Sequence, residues 1–469
     1  ADGTWRQPFD IVGVTSELPA IWAFEAGEQR LELAAGSEFM ATNGLQEEAA
    51  AIESAEIIFA GYGIVAPEFD WNDYDGVDVT GKVVLLLNND PDWDEAIFEG
   101  DRRLYYGRWT YKYEEAARQG AVGAIIVHTR PSAGYPWSVV ESSWSGIQFE
   151  LPKTDAPRLA IGGWATEDSS RRLVELGGHN LDALSKQAQS AEFQPVPLGI
   201  TTSLALSSTI ERTQTANIIG RLPGTERPDE IVLYGGHFDH LGVSEPDDTG
   251  DSINNGALDN ASGIASILSI ADAMSQLEKG PERSVVFAAW GAEESGLLGS
   301  AFYREQPTDA PGKIAANINI DGANIWGETE DVVFIGYGKS NLDAVVERHA
   351  ATQNRTVVGD QFPDRGYFYR SDQLNLARIG VPAIYLDTGT RFIGREEGWG
   401  LERIKEWEND KYHQPSDELE DDWNFDGMVA DTRMLFFVGL DIANADAMPM
   451  WVAGDEFEAV RLEALDAVR

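Results

Sequence analysis

Between residues 200 and 445 the chain alternates short apolar runs with stretches whose apolar positions recur at helical spacing. Residues 231–234 and 285–290 are apolar almost throughout, the pattern of strands buried on both faces. Residues 262–277 place Ile264, Ile267, Leu268, Ala271 and Met274 on one helical stripe. A helix over 341–353, a strand over 382–386 and a closing helix over 431–443 extend the pattern. Strands alternating with helices predict βαβ units and a three-layer α/β sandwich.

Residues 41–198 read differently. They are rich in Gly, Pro and Trp, with β-like runs at 57–60, 83–87 and 124–127 and one helix over 111–119. This predicts a second, β-rich domain. The first forty residues are too few to fold alone. The expected organisation is therefore one domain from 1–40 and 199–469, interrupted by an insert over 41–198, with the polar stretch 209–214 leading back. Trp93, Trp109, Trp137 and Trp144 in the insert read as ordinary packing, or else as the lining of a substrate channel.

Composition narrows the function. The 469 residues hold 35 Lys and Arg against 79 Asp and Glu, a formal charge of −44. Nucleic acids and anionic membranes need a basic surface, so both are excluded as expected partners. There is no cysteine, so any metal must bind His, Asp or Glu. No apolar run of about twenty residues predicts a membrane-spanning helix. The chain starts Ala1-Asp2-Gly3-Thr4, which reads as a trimmed product.

Metal-ligand residue types stand where strands are expected to end. They occur in Gly236-His237-Phe238-Asp239, Ala257-Leu258-Asp259-Asn260, Ala292-Glu293-Glu294, Asn319-Ile320-Asp321, Ser371-Asp372 and Tyr412-His413. Open α/β sheets keep their sites just past the C-terminal ends of strands. Singly, each has a plain reading: a structural His237, an N-capping Asp259, an exposed Glu293-Glu294 loop, a turn-forming Asp321, a solvated His413. Together, two His and three carboxylates form a ligand set for two divalent ions, and the Glu pair adds a base beside a ligand. Asp239 is placed to orient the His237 ring. The glycine pair before His237 suggests a sharp backbone turn. His128, His179, His240 and His349 lack such company and read as structural or exposed. The chain reads as a metallohydrolase.

In this order the motifs resemble the co-catalytic zinc aminopeptidases, a family that also holds glutamate carboxypeptidase, glutaminyl cyclase and the transferrin receptor ectodomain. The resemblance covers residues 200–445. The runs at 73–84 and 116–124 resemble the protease-associated domain that several members insert. Relatives with this insert commonly carry a helical segment ahead of Gly3-Thr4-Trp5. The resemblance implies two zinc ions, with Asp259 bridging, His237 and Asp321 completing one shell, and Glu294 and His413 the other. It implies Glu293 as general base, and Tyr367 or Tyr369 as a stabiliser of the oxyanion. Gln373 stands where the family usually has His. The implied reaction is hydrolysis of N-terminal peptide bonds on a peptide with a free N-terminus, in a periplasmic or secreted protein. A carboxypeptidase using Arg365, Arg370 or Arg391, and a metal-free binding protein, are the alternatives.

Overall fold

The three apolar runs that carry the candidate site lie side by side. In the computed structural model, which describes residues 4–94, 97–244, 246 and 249–469, the strands Arg227–His237, Arg283–Trp290 and Ile314–Asn319 are neighbours and parallel. Residues 1–3, the expected trimmed start, lie outside the described residues.

The register matters more than the order. His237 pairs with Trp290, so those two strands end level, and Asn319 pairs with Gly235, so the third ends two residues short of His237. Ala383–Asp387 continues the sheet in parallel beside Ile314–Asn319. Asp331–Ile335 is antiparallel to it and parallel to the edge strand Thr356–Gly359. On the other side, residues Ile218–Leu222 of the strand Val196–Leu222 run antiparallel to Arg283–Trp290.

Alternating residues of one strand serve two cores. Val232 and Tyr234 face a layer built by Ile267, Ile270 and Met274 of the helix Gly263–Ser275 and by Met434, Val438 and Ile442 of Asp426–Asn444. Ile231 and Leu233 face Tyr303 of Leu298–Glu305 and Leu376 of Gln373–Ala377. This two-sided burial is the three-layer α/β sandwich, and it explains why the strands read as uninterrupted apolar runs. Gly439 is required by a close approach: a Cβ there would stand 1.8 Å from the Tyr234 hydroxyl, which donates to the Leu435 carbonyl at 2.8 Å.

The chain divides into two compact units. The sandwich unit comprises Gln214–Gln361 and Arg370–Arg469, with the N-terminal stretch up to Phe9; the second comprises Asp10–Thr213 and Phe362–Tyr369. Residues 10–40 and 199–213, expected with the sandwich, thus fall in the second unit. The stretch 209–214, read as a polar connection, is part of the strand Val196–Leu222 and is mostly exposed, so its polar residues carry no burial pattern to mark it.

Within the second unit, Ala49–Phe59, Val83–Leu87, Gly123–His128 and Ile161–Thr166 pair in parallel, and Phe39–Asn43 closes the edge antiparallel. Trp164 lies at the centre of its core, and Trp109, Trp137 and Trp144 pack against that core, as the packing reading expects. Trp93 lies 40% exposed beside Tyr62 and Trp71.

Candidate metal centre

Five segments of the sandwich unit bring polar residues together beside the strand ends, the fifth being the turn after the helix Trp399–Asp410, which carries His413. His237 is the last residue of its strand and is buried. The glycine pair before it makes no turn: both residues are inside the strand. Their missing side chains admit neighbours, because a Cβ at Gly235 would meet Trp290 Nε1 at 2.6 Å and one at Gly236 the Ile320 carbonyl at 2.6 Å. Asp259 sits in the turn Ala257–Ser262, ahead of the helix Gly263–Ser275. Glu293 and Glu294 follow the strand ending at Trp290, and Asp321 follows the strand ending at Asn319.

The distances define a centre. His237 Nε2 lies 3.1 Å from Asp259 Oδ1 and 3.1 Å from Asp321 Oδ1. His413 Nε2 lies 3.4 Å from Asp259 Oδ2 and 3.2 Å from Glu294 Oε2. Asp259 therefore turns one oxygen to each histidine. Glu293 brings a carboxylate oxygen within 4.8 Å of ligand-type atoms of His237 and Glu294.

Further side chains hold these groups in place. Asn260 donates to the Ile320 carbonyl at 2.9 Å and accepts from the Gly263 and Gly322 amides at 3.0 and 2.9 Å, tying the Asp259 turn to the Asp321 segment. Asp417 accepts from the Leu258 and Asp259 amides at 2.9 and 3.0 Å. Ser371 donates to Asp321 Oδ2 and accepts from Asn319. Asp239 lies beside His237 as expected, but its main-chain carbonyl, 3.1 Å from Nδ1, faces the ring. Its carboxylate accepts from the Glu293 and Glu294 amides at 3.1 and 3.4 Å. Ala292 and His413 both have positive φ, 58° and 60°, at the two ends of this arrangement.

Burial and neighbouring acids compete in setting the charges of the centre. Burial disfavours charge on His237, yet Asp321 and Asp259 push its imidazole well above the usual range. Against the same burial, Asp259 and Glu294 raise His413 to about 9. Burial also works to raise Asp259, but His237 and His413 hold it below the ordinary carboxylate range. Glu293 is pushed well up, by burial first and by the nearby Asp321, Asp372 and Glu294.

Tyr367 and Tyr369 belong to the second unit: the Tyr367 hydroxyl accepts from Arg365 at 2.8 Å, and Tyr369 is buried against Phe368 and Tyr105. In the sandwich unit, the Tyr385 hydroxyl donates to the Asp321 carbonyl at 3.3 Å. His240, read as structural or exposed, is in fact at the centre, with Nδ1 2.6 Å from Glu294 Oε1. The signal available for it was its place three residues beyond His237, in the loop leaving the strand. Of the other three histidines, His349 pairs with Asp441 at 2.6 Å and His128 Nε2 lies 3.2 Å from the Tyr135 carbonyl.

Residues 217–436 match the family model described as Peptidase family M28, and that stretch holds every ligand candidate named above. Curated relatives include Aminopeptidase NAALADL1 of Mus musculus, 32% identical over 33% of this chain and 21% of its own. Probable glutamate carboxypeptidase LAMP1 of Arabidopsis thaliana is 29% identical over 45% of this chain and 33% of its own. Probable leucine aminopeptidase 2 of Aspergillus fumigatus is 29% identical over 48% of this chain and 43% of its own. The match thus spans less than half the length of each. Among solved structures, an aminopeptidase from Aneurinibacillus sp. strain AM-1 aligns over 95% of this chain and 86% of its own, at 18% identity and a TM-score of 0.49.

Proposed function

We propose that this chain is a two-zinc exopeptidase that removes residues from the free N-terminus of peptides. The observation that carries the reading is Asp259, whose two oxygens face two different histidines, each with a second carboxylate of its own. Donors sharing a tetrahedral zinc ion at about 2.1 Å stand about 3.4 Å apart. The four His–carboxylate separations, 3.1 to 3.4 Å, fit such edges. Nitrogen and carboxylate donors without thiolate also suit zinc.

In this reading His237, Asp321 and Asp259 would hold one ion, and His413, Glu294 and Asp259 would hold the second. A pair of zinc ions supplies Lewis acidity that polarises a carbonyl and makes water acidic near neutral pH. Glu293 takes the proton from the attacking water and passes it to the leaving amine. Glu293 is buried, with a carboxylate oxygen within 4.8 Å of ligand-type atoms of His237 and Glu294. Asp239 aims the Glu293-Glu294 pair through their amides and fixes the His237 ring through its own carbonyl. A protonated α-amine suits a centre dominated by carboxylates. Of the arginines that a carboxypeptidase would use, Arg391 already donates to Thr356 and flanks Glu330 and Asp331.

The second unit, in this reading, contains a protease-associated insert. Export to the periplasm or medium belongs to the same reading and rests on the family resemblance. Tyr367 and Tyr369 remain proposed oxyanion stabilisers.

Peptides blocked at one end or the other test the specificity. C-terminally amidated peptides are expected to lose residues one at a time from the N-terminus, while N-acetylated peptides stay intact. Cleavage only of peptides with a free C-terminus would replace this reading by the carboxypeptidase.

A further inference from the structure

His240 has no part in the ligand set above, yet it is tied to it. Its side chain is 7% exposed, and Nε2 is buried without a hydrogen-bond partner among the described residues. The ring makes its hydrogen bond through Nδ1, 2.6 Å from Glu294 Oε1, while Glu294 Oε2 faces His413 at 3.2 Å. The ring centroid stands 5.8 Å from that of His413. Space for His240 is made by Gly256, which has φ +62°: a Cβ there would come within 2.7 Å of His240 Cγ. Gly256 immediately precedes the turn that carries Asp259.

Two roles fit a histidine here, ligand or support, and distance separates them. Donors on one zinc ion stand about 3.4 Å apart, and the four proposed ligand pairs lie at 3.1 to 3.4 Å. The His240–Glu294 separation of 2.6 Å is shorter than all of them. It is close to the range of about 2.7–2.9 Å for a charge-assisted N–H···O⁻ bond. A carboxylate oxygen only accepts, so the proton of this bond sits on Nδ1.

Resting on the two-zinc reading, we propose that His240 is a positioning residue. Its Nδ1–H occupies Oε1 of Glu294 and leaves Oε2 as the one donor facing the ion shared with His413 and Asp259. The carboxylate so held offers a single, fixed oxygen instead of two exchangeable ones. Outer-shell partners of this kind set the affinity of a metal site. The prediction is that His240 governs one of the two ions and not the other.

Zinc affinity, read without any activity assay, tests it. The full chain is stripped with chelator and titrated with zinc against a chromophoric competitor, as wild type, His240→Ala and His240→Asn. Wild type is expected to bind two ions. His240→Ala is expected to weaken one binding step by about 10–100-fold and leave the other unchanged. His240→Asn, whose amide N–H can replace Nδ1–H, is expected to recover most of that loss. Circular dichroism of the stripped proteins reports folding. Should the Ala variant not fold, His240→Gln, whose N–H lies one bond further out, replaces it and is expected to stay weak where Asn recovers. Two ions bound by wild type with no change in His240→Ala would overturn the proposal alone. So would equal weakening of both steps, or an Asn variant no better than Ala, as a direct ligand would give. Fewer than two ions bound by wild type would overturn the two-zinc reading itself.

Discussion

Glu293 and Glu294 are adjacent in sequence and opposite in condition. Burial acts to raise both, but His240 and His413 hold Glu294 below the usual range, while Glu293 is left high. Glu294 Oε2 faces His413 Nε2 at 3.2 Å, the spacing of two ligands on one ion, while Glu293 stands beside the pair as the proposed base. Replacing Glu293 by Ala is therefore expected to lower kcat by about 10²–10⁴-fold, with two zinc ions still bound by elemental analysis. Loss of a metal ion in that variant would make Glu293 a ligand and contradict the assignment. At this scale the sequence was legible in residue type for His237, Asp259, Glu293, Glu294, Asp321 and His413, though Asp259 and His413 sit in turns and not at strand ends. It was not legible for Asn260, Asp417 or His240, whose roles are hydrogen bonds to partners 54 to 159 residues away. Such contacts leave no local pattern.

Single turns, more than whole strands or helices, carry the centre. The turn Ala257–Ser262 has non-helical dihedrals at Asp259 and Asn260, and Asp417 receives two of its amides across the fold. Hydrogen bonds to a buried charged group contribute about 1.5–3 kcal/mol each, and the Asp417 side chain is buried. Asp417→Ala, which removes two of them, is expected to lower the stability of the chelator-treated protein by about 3–6 kcal/mol and to weaken zinc binding as well. Urea unfolding checks the first part; an unchanged midpoint would show that the turn holds itself. The strands and helices themselves were readable because burial on two faces gives unbroken apolar runs, and burial on one gives a stripe. Their ends were not. The closing helix begins at Asp426 instead of 431, since Gly427 lowers helix propensity but is needed against Asn324, which a Cβ would meet at 2.3 Å. The strand Val196–Leu222 runs through 209–214 because exposed polar residues carry no period to read.

For the whole molecule, the charge of −44 is the background on which the centre works. A strongly negative surface draws cations and keeps the chain soluble, while the centre concentrates further acids where only cations compensate them. Among the described residues no helix is long and apolar enough to cross a membrane. The layered sandwich was foreseeable from alternating strand and helix patterns. The division between the two units was not, because the strand Val196–Leu222 contributes residues to both. The proposed function requires two zinc ions at Asp259 for peptide hydrolysis. Its most direct test strips the protein of metal and follows hydrolysis of a C-terminally amidated peptide as zinc is returned. The account predicts no hydrolysis when stripped and recovery that saturates near two zinc ions per chain. Full activity after complete stripping, or none with two zinc ions bound, would contradict it.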